Sequence, residues 1–291
     1  MNRKVLVNKI GAFAFRRALA WMKNKNALQA ERSGQRLGRF AMKLAKKQRV
    51  QTLANLQLAF PEQAAEWHDQ MRVRVFEHFG MLATDFLRTP QRSDDEVREH
   101  MTYDGYENFQ EALAFNKGVL VLTAHFGNWE RMAQFSRVMG YPLTVVARDA
   151  NDEGLNKMVM ELRHKTGIEV LSRGNAARGV IERLRKNQIV AMLPDQNSSE
   201  SFLTFFGKPC GTVLGPGVLH LRTGAPIVTA YGFRKAPGEY HVTVGKMIEG
   251  ETAEEIMTKA NLALETIIRE HPEQYLWMHD RWRSAKRKGL I

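Results

Sequence analysis

Read for its apolar positions, the chain changes character at Gly118. Before that point the pattern is helical. Residues 62–88 carry Met71, Val75, Phe79, Leu82 and Phe86 on one stripe, the spacing of an amphipathic helix. Pro61 has no amide hydrogen to give, so it ends the segment Leu53–Phe60 ahead of that helix. From Gly118 onward, short continuous apolar runs take over at 118–124, 143–147, 168–171, 189–193 and 226–233. Such runs mark strands buried on both faces, and 240–244 reads as a more exposed strand. Helical stretches fall between them at 128–139, 152–166, 175–187 and 212–224, and helices at 253–270 and 273–283 close the chain. The alternation predicts an α/β fold, a central mostly parallel or mixed sheet with helices on both faces. In such a sheet ligand chemistry gathers in the loops at the carboxyl ends of the strands. No repeat, low-complexity tract or Gly/Ser linker divides residues 51–291, which read as one domain.

Charge separates residues 1–50 from that domain. They hold 14 basic residues and one acid, Glu31, while the whole chain of 291 residues carries +12. The body is therefore close to neutral, which disfavours a uniformly basic nucleic-acid-binding domain and favours a basic appendage. No stretch of the arm approaches the ~20 apolar residues of a membrane span, because Arg16 and Arg17 end its best uncharged run, Ile10–Phe15. Nor does it show a signal peptide's apolar centre and cleavage site. Instead Leu6, Ile10, Phe13 and Trp21 fall near one helical face, and Leu37, Phe40 and Leu44 form a second stripe among Arg36, Arg39, Lys43, Lys46 and Lys47. Basic amphipathic helices of this kind lie in an anionic membrane surface; the alternative is a helix packed on the body with a solvated charged face. A single cysteine excludes an internal disulfide and a four-cysteine zinc site, and fits a reducing compartment or a secreted protein without bridges.

The first buried run ends in His125-Phe126-Gly127-Asn128-Trp129-Glu130. A strand–loop–helix turn brings the side chains of His125 and Glu130 together across five residues. A carboxylate on one imidazole nitrogen fixes the tautomer and leaves the other nitrogen free to take a proton, which makes a general base. The alternative for a lone His–Glu pair is a structural role. Other candidates are weaker. Cys210 has no evident His partner in sequence, and the nine histidines contain no His-Glu-x-x-His motif, so no metal site is expected. Gly211, Gly215 and Gly217 are not followed by the Lys-Ser/Thr of a phosphate loop, and no dinucleotide fingerprint is present.

The stretch around His125 resembles the late acyltransferases of lipid A synthesis, of lauroyl and myristoyl type, within the lysophospholipid and glycerol-phosphate acyltransferase superfamily. That superfamily's signature is His, four residues, then Asp or Glu. The resemblance continues in order along residues 50–283: Ala54-Asn55-Leu56-Gln57-Leu58-Ala59-Phe60-Pro61, Arg148 with Asn151, Ser172-Arg173-Gly174, Leu193-Pro194-Asp195-Gln196, Phe205-Phe206-Gly207-Lys208-Pro209, and Pro272 to Trp282. It implies a glycerol-phosphate acyltransferase-like fold and transfer of a fatty acyl group from a carrier thioester to a hydroxyl of a lipid A precursor or similar glycolipid, without a cofactor or an acyl-enzyme. His125 would be the base and Glu130 would orient it. Acyl carrier protein is the implied donor, with a coenzyme A thioester as the other possibility. Arg148 and Arg173 would bind substrate phosphate. Asp195 would pair with one of those arginines, bind a sugar hydroxyl or cap a loop. Phe205, Phe206 and Gly207 would wall an acyl channel or pack in the core. Backbone amides after His125, or Arg148 or Arg173, are candidates to stabilise the oxyanion.

The sequence departs from the family in its arm, since members commonly carry an apolar transmembrane segment there. The expected location is the cytoplasmic face of a bacterial inner membrane, held peripherally or monotopically, with an anionic lipid surface as partner and no nucleic acid. Two other functions stay open at this point: a non-catalytic membrane- or nucleic-acid-binding protein on a degenerate acyltransferase fold, and an acyl-thioester hydrolase.

Overall fold

The computed structural model describes residues 3–147, 153–172 and 176–291. Helices α1 (Arg3–Met22), α2 (Ala27–Leu44), α3 (Lys46–Ala59) and α4 (Ala65–Arg88) come first, then α5 (Asp94–Glu99), β1 (Met101–Asp104) and α6 (Tyr106–Ala114). Strand and helix then alternate through β2 (Val119–Leu122), α7 (Trp129–Val138), β3 (Leu143–Ala147), α8 (Glu153–Lys165), β4 (Glu169–Ser172), α9 (Ala176–Arg185) and β5 (Ile189–Met192). A hairpin of β6 (Ser201–Phe205) and β7 (Lys208–Thr212) precedes α10 (Gly215–Thr223), β8 (Ile227–Ala236), β9 (Glu239–Val244), α11 (Ala253–Glu270) and α12 (Arg283–Arg287).

Seven strands form one sheet in the order β1-β9-β8-β2-β5-β3-β4. Every pairing is parallel except that of β8 with β9. Strand β2 sits at the centre and is buried along its whole length, which is why it reads as an unbroken apolar run. Its side chains alternate: Val119 and Val121 face a core with Met132 and Phe135 of α7, while Leu120 and Leu122 face a core with Val180 of α9 and Leu219 of α10. A third cluster includes Phe60, Phe126, Phe205, Tyr275, Trp277 and Trp282.

Four of the apolar runs are thus the interior strands β8, β2, β5 and β3, the run at 168–171 is the half-buried edge strand β4, and the helices between them lie where the sequence puts them. Residues 273–283 do not form the expected helix. Only a 3₁₀ turn at Pro272–Gln274 is helical before Arg283. Tyr275 bridges Phe126 antiparallel, and the amide of Leu276 donates to the carbonyl of His125 at 3.1 Å. Main-chain groups that would have closed a helix are spent on the loop after β2.

The basic arm is anchored to the body. Helix α2 crosses α4 at backbone distance through Gly34, Gly38 and Gly80. A Cβ at position 38 would lie 2.1 Å from the Phe76 carbonyl oxygen, and one at position 80 would lie 2.1 Å from that of Gly34. Glu31, the arm's one acid, is buried and accepts from Arg234 of β8 at 2.7 and 2.5 Å and from the amide of Gly238 at 3.1 Å. Residue 50 falls inside α3. The outward side leaves Trp21, Phe40 and Leu44 exposed at 56, 59 and 71%. Among the described residues, no helix is long and apolar enough to cross a membrane.

Candidate active site

The loop from β2 to α7 is fixed on every side. Gly127 has φ +58°, and a Cβ there would lie 2.0 Å from the carbonyl oxygen of Gly232, so no other residue fits without displacing β8. Its amide donates to the Gln274 carbonyl at 2.9 Å, and its carbonyl meets His78 Nε2 at 3.1 Å. His78 is buried, and that burial takes its pKa down to about 4, so the ring is neutral and Nε2–H donates. Asn128 caps α7 by accepting from the Arg131 amide at 3.0 Å, while its Nδ2 donates to Asp85 at 2.8 Å.

His125 therefore stands at the carboxyl end of the central strand with little freedom. Its Nδ1 is 2.9 Å from one oxygen of Asp195, and its own amide donates to the other at 3.0 Å. Asp195 comes from the end of β5, the direct neighbour of β2. Glu130 does not supply this hydrogen bond. Its carboxylate is bound instead by Arg163 of α8, with Nε at 3.1 and 3.2 Å from its two oxygens and a further contact from Nη2. The physical reason is direction: Glu130 lies in the first turn of α7, on the side of Arg163 of α8, while Asp195 lies beside the histidine in the loop that follows the adjacent strand β5. The role expected of Glu130 at Nδ1 is thus filled by Asp195.

Burial works against a charged imidazole, but the charge and hydrogen bond of Asp195, with a smaller contribution from Glu130, outweigh it and hold the His125 pKa above its ordinary value. For Asp195, burial pushes the pKa up, yet the charge and hydrogen bonds of His125 bring it below the usual carboxylate range. With Nδ1 occupied, Nε2 is the nitrogen left for chemistry. The Trp129 ring stands edge-on to the imidazole at 5.3 Å.

The Asp195 loop has its own support. The amide of Asn197 donates to His279 Nε2 at 2.9 Å, and the buried Arg281 donates to the carbonyls of Gln196 and Gly211. Asn55, in the segment before Pro61, donates to the carbonyls of Trp277 and His279 at 2.8 and 2.7 Å. The segment before Pro61 and the one after Pro272 thus meet beside the loop that carries Asp195.

His125, Glu130 and Arg163 open into a cavity of about 670 Å³. Its lining residues fall into two groups, or lobes, one belonging to the core on the α7 side of the sheet and the other to the core on the α9 and α10 side. One runs beneath α7 and is walled by Met132, Ala133, Leu143, Val145 and Ile168. The other runs between α9 and α10, past Val180, Ile181, Val218 and Leu219, to Arg222.

The remaining candidates fall elsewhere. Arg148 and Arg173 lie outside the described residues. Phe205 and Phe206 are buried in the aromatic cluster with Trp277 and do not line the cavity. Phe206 and Gly207 have φ +51° and +67° and form the two-residue turn of the β6–β7 hairpin. An acyl-channel wall at these three positions is replaced by core packing and turn geometry. Cys210 is buried, and that burial pushes its thiol pKa up to about 11, the reverse of an activated nucleophile. The amides of His125, Gly127 and Asn128 all donate within the protein, so the loop offers none of these three to an oxyanion. Arg163 was not singled out from the sequence. The available signal was a cation eight residues after the predicted helix of 152–166 begins to carry apolar residues, which is too common to mark a site.

Comparison with known proteins gives this arrangement a family. The model for bacterial lipid A biosynthesis acyltransferases matches residues 12–284. A lipid A biosynthesis palmitoleoyltransferase of Escherichia coli is 30% identical over 260 residues, covering 86% of this chain and 84% of the relative. A lipid A biosynthesis lauroyltransferase of the same organism is 26% identical over 264 residues, covering 87 and 85%. A phosphatidylinositol mannoside acyltransferase of Mycobacterium tuberculosis is 24% identical over 171 residues, covering 56 and 54%.

Proposed function

Since the chain belongs to the bacterial lipid A biosynthesis acyltransferase family and is an O-acyltransferase, we propose that it moves a fatty acyl group from an acyl carrier protein thioester to a hydroxyl of a lipid A precursor or similar glycolipid. The observation that carries this reading is the His125–Asp195 hydrogen bond at the mouth of a cavity with an apolar lobe. Asp195 holds the proton of His125 on Nδ1. Nε2 removes the proton of the acceptor hydroxyl as its oxygen attacks the thioester carbonyl. The same nitrogen returns that proton to the departing thiolate, so no acyl-enzyme forms. The lobe beneath α7 takes the acyl chain. Glu130 adds negative charge near the imidazolium and fixes Arg163, whose Nη1 has no protein partner among the described residues and is available to the developing oxyanion.

The arm completes the reading. With α2 clamped to the body, its exposed Phe40 and Leu44 and surrounding lysines and arginines favour peripheral attachment to an anionic membrane, where a glycolipid acceptor resides. The test is acyl transfer in mixed micelles, with acyl carrier protein loaded and a lipid A precursor as acceptor, followed by product mass. A product heavier by one acyl chain, absent with His125→Ala, supports the reading. Thioester loss that the acceptor does not accelerate would replace it with hydrolysis.

A further inference from the structure

The two lobes that meet at His125 differ in how they end. The lobe beneath α7 is lined by the apolar side chains of Met132, Ala133, Leu143 and Ile168. Asn197, Ser198 and Glu200 also border the cavity, while the lobe between α9 and α10 is lined by Val180, Ile181, Val218 and Leu219 and reaches the cation Arg222. It follows α10 from Gly215 to Arg222, a rise of about 10 Å at helical pitch. Arg222 and Ile181 also line two surface hollows beyond this exit, one with Lys117 and Arg185 and the other with Arg178 and Arg185. Among the described residues, no carboxylate pairs with Arg178, Arg185 or Arg222; the acid beside them, Glu182, is held by Lys186 at 2.8 Å.

An apolar groove that starts at the base and closes on arginines is a poor end for a hydrocarbon tail. It suits a slender, largely uncharged arm with one phosphate at its far end. On the acyl-transfer reading given above, we propose that the α9–α10 lobe holds the phosphopantetheine arm of the donor, with Arg185 and Arg222, flanked by Arg178, receiving its phosphate. The thioester carbon then lies where the lobes meet, with the acyl chain in one and the carrier's arm in the other.

Topology separates this exit from the lipid side. Lys117 and Arg222 precede the amino ends of β2 and β8, whereas Arg234, which anchors α2, lies toward the carboxyl end of β8. A donor arriving from water at one end of the sheet and an acceptor arriving from the membrane side at the other reach His125 without crossing.

The experiment compares 4′-phosphopantetheine with pantetheine by titration calorimetry at low ionic strength, on the wild-type chain and on Arg185→Ala/Arg222→Ala. Both side chains are exposed, so the double variant keeps the fold, which circular dichroism checks. The wild type is expected to favour the phosphorylated arm by about tenfold or more, and the variant to bind both alike. Equal binding by the wild type, or discrimination retained in the variant, overturns the proposal. In turnover, the variant's KM is expected to rise for both acyl carrier protein and coenzyme A thioesters, because the phosphate is common to both. A rise for only one donor would assign the arginines to a contact with that carrier's body and overturn the phosphate site. Phosphate discrimination without acyl transfer to any glycolipid would sink the acyl-transfer reading while leaving the anion site standing, and transfer without discrimination would do the reverse.

Discussion

Asp195→Asn is the sharpest test of the site because the change is nearly isosteric and its effect is directional. The carboxylate accepts twice, from His125 Nδ1 at 2.9 Å and from the His125 amide at 3.0 Å. An asparagine has one oxygen. If that oxygen stays on the amide, its NH₂ faces Nδ1 and drives the imidazole proton to Nε2, where the lone pair that acts as base is lost. If the amide group turns, a buried backbone N–H loses its acceptor. General-base catalysis is worth about 10²–10⁴-fold, so kcat should fall by that order while the fold is retained. The pH profile gives a second readout. In the wild type the rate should climb as pH rises through the His125 pKa, which Asp195 holds above the ordinary value; in Asp195→Asn that limb should move down. Glu130→Gln leaves the Nδ1 contact intact, so its limb should move less. A loss under about tenfold with an unmoved limb in Asp195→Asn, or a larger shift in Glu130→Gln, would refute the assignment of Asp195 as the orienting carboxylate.

The same pair should mark stability. Its contribution should fade as pH falls through the lowered Asp195 pKa and again as pH rises through the raised His125 pKa, read as the difference in urea midpoint between wild type and Asp195→Asn across pH. Gly127→Ala combines φ +58° with a contact 2.0 Å from the Gly232 oxygen, and should lose about 2–3 kcal/mol in urea unfolding together with activity. Glu31→Ala strands Arg234, whose side chain is 22% exposed, and should cost about 2–3 kcal/mol, less than a wholly buried pair. Phe40→Ala/Leu44→Ala, on exposed positions, should leave the thermal midpoint unchanged and weaken co-sedimentation with anionic vesicles by at least about tenfold.

The fold was legible where one element decided it alone. Strands β2, β3, β5 and β8 announce themselves because burial inside the sheet demands continuous apolar residues, whereas β4, at the sheet edge and only half-buried, interrupts its run with Glu169. Strand β1 does not announce itself, since only Met101 of its four residues is buried. The β6–β7 hairpin hid behind Phe206-Gly207, whose left-handed turn is required by a partner strand that sequence does not display. Residues 273–283 offered aromatic spacing that suits a helix, but their backbone is committed to a loop some 150 positions earlier. His125 was readable from its place after a buried strand. Its carboxylate partner was not, because Asp195 is 70 residues away and becomes adjacent only through the β2–β5 pairing. Glu130 was near in sequence, and nearness in sequence favoured the wrong hydrogen bond.

The clamp on Glu31 bears on how substrate supply should be measured. A helix free to roll about its axis would present any face to a lipid surface and leave the enzyme's height above it undefined. Here the carboxylate and the glycine contacts with α4 set the rotation of α2, so Phe40 and Leu44 always point the same way relative to His125. Attachment through that face holds the cavity at one standoff from the headgroups. Turnover on such an interface depends on how many acceptor molecules occupy each patch of surface, so diluting the glycolipid with inert phospholipid should slow the reaction even when its total amount in the tube is unchanged.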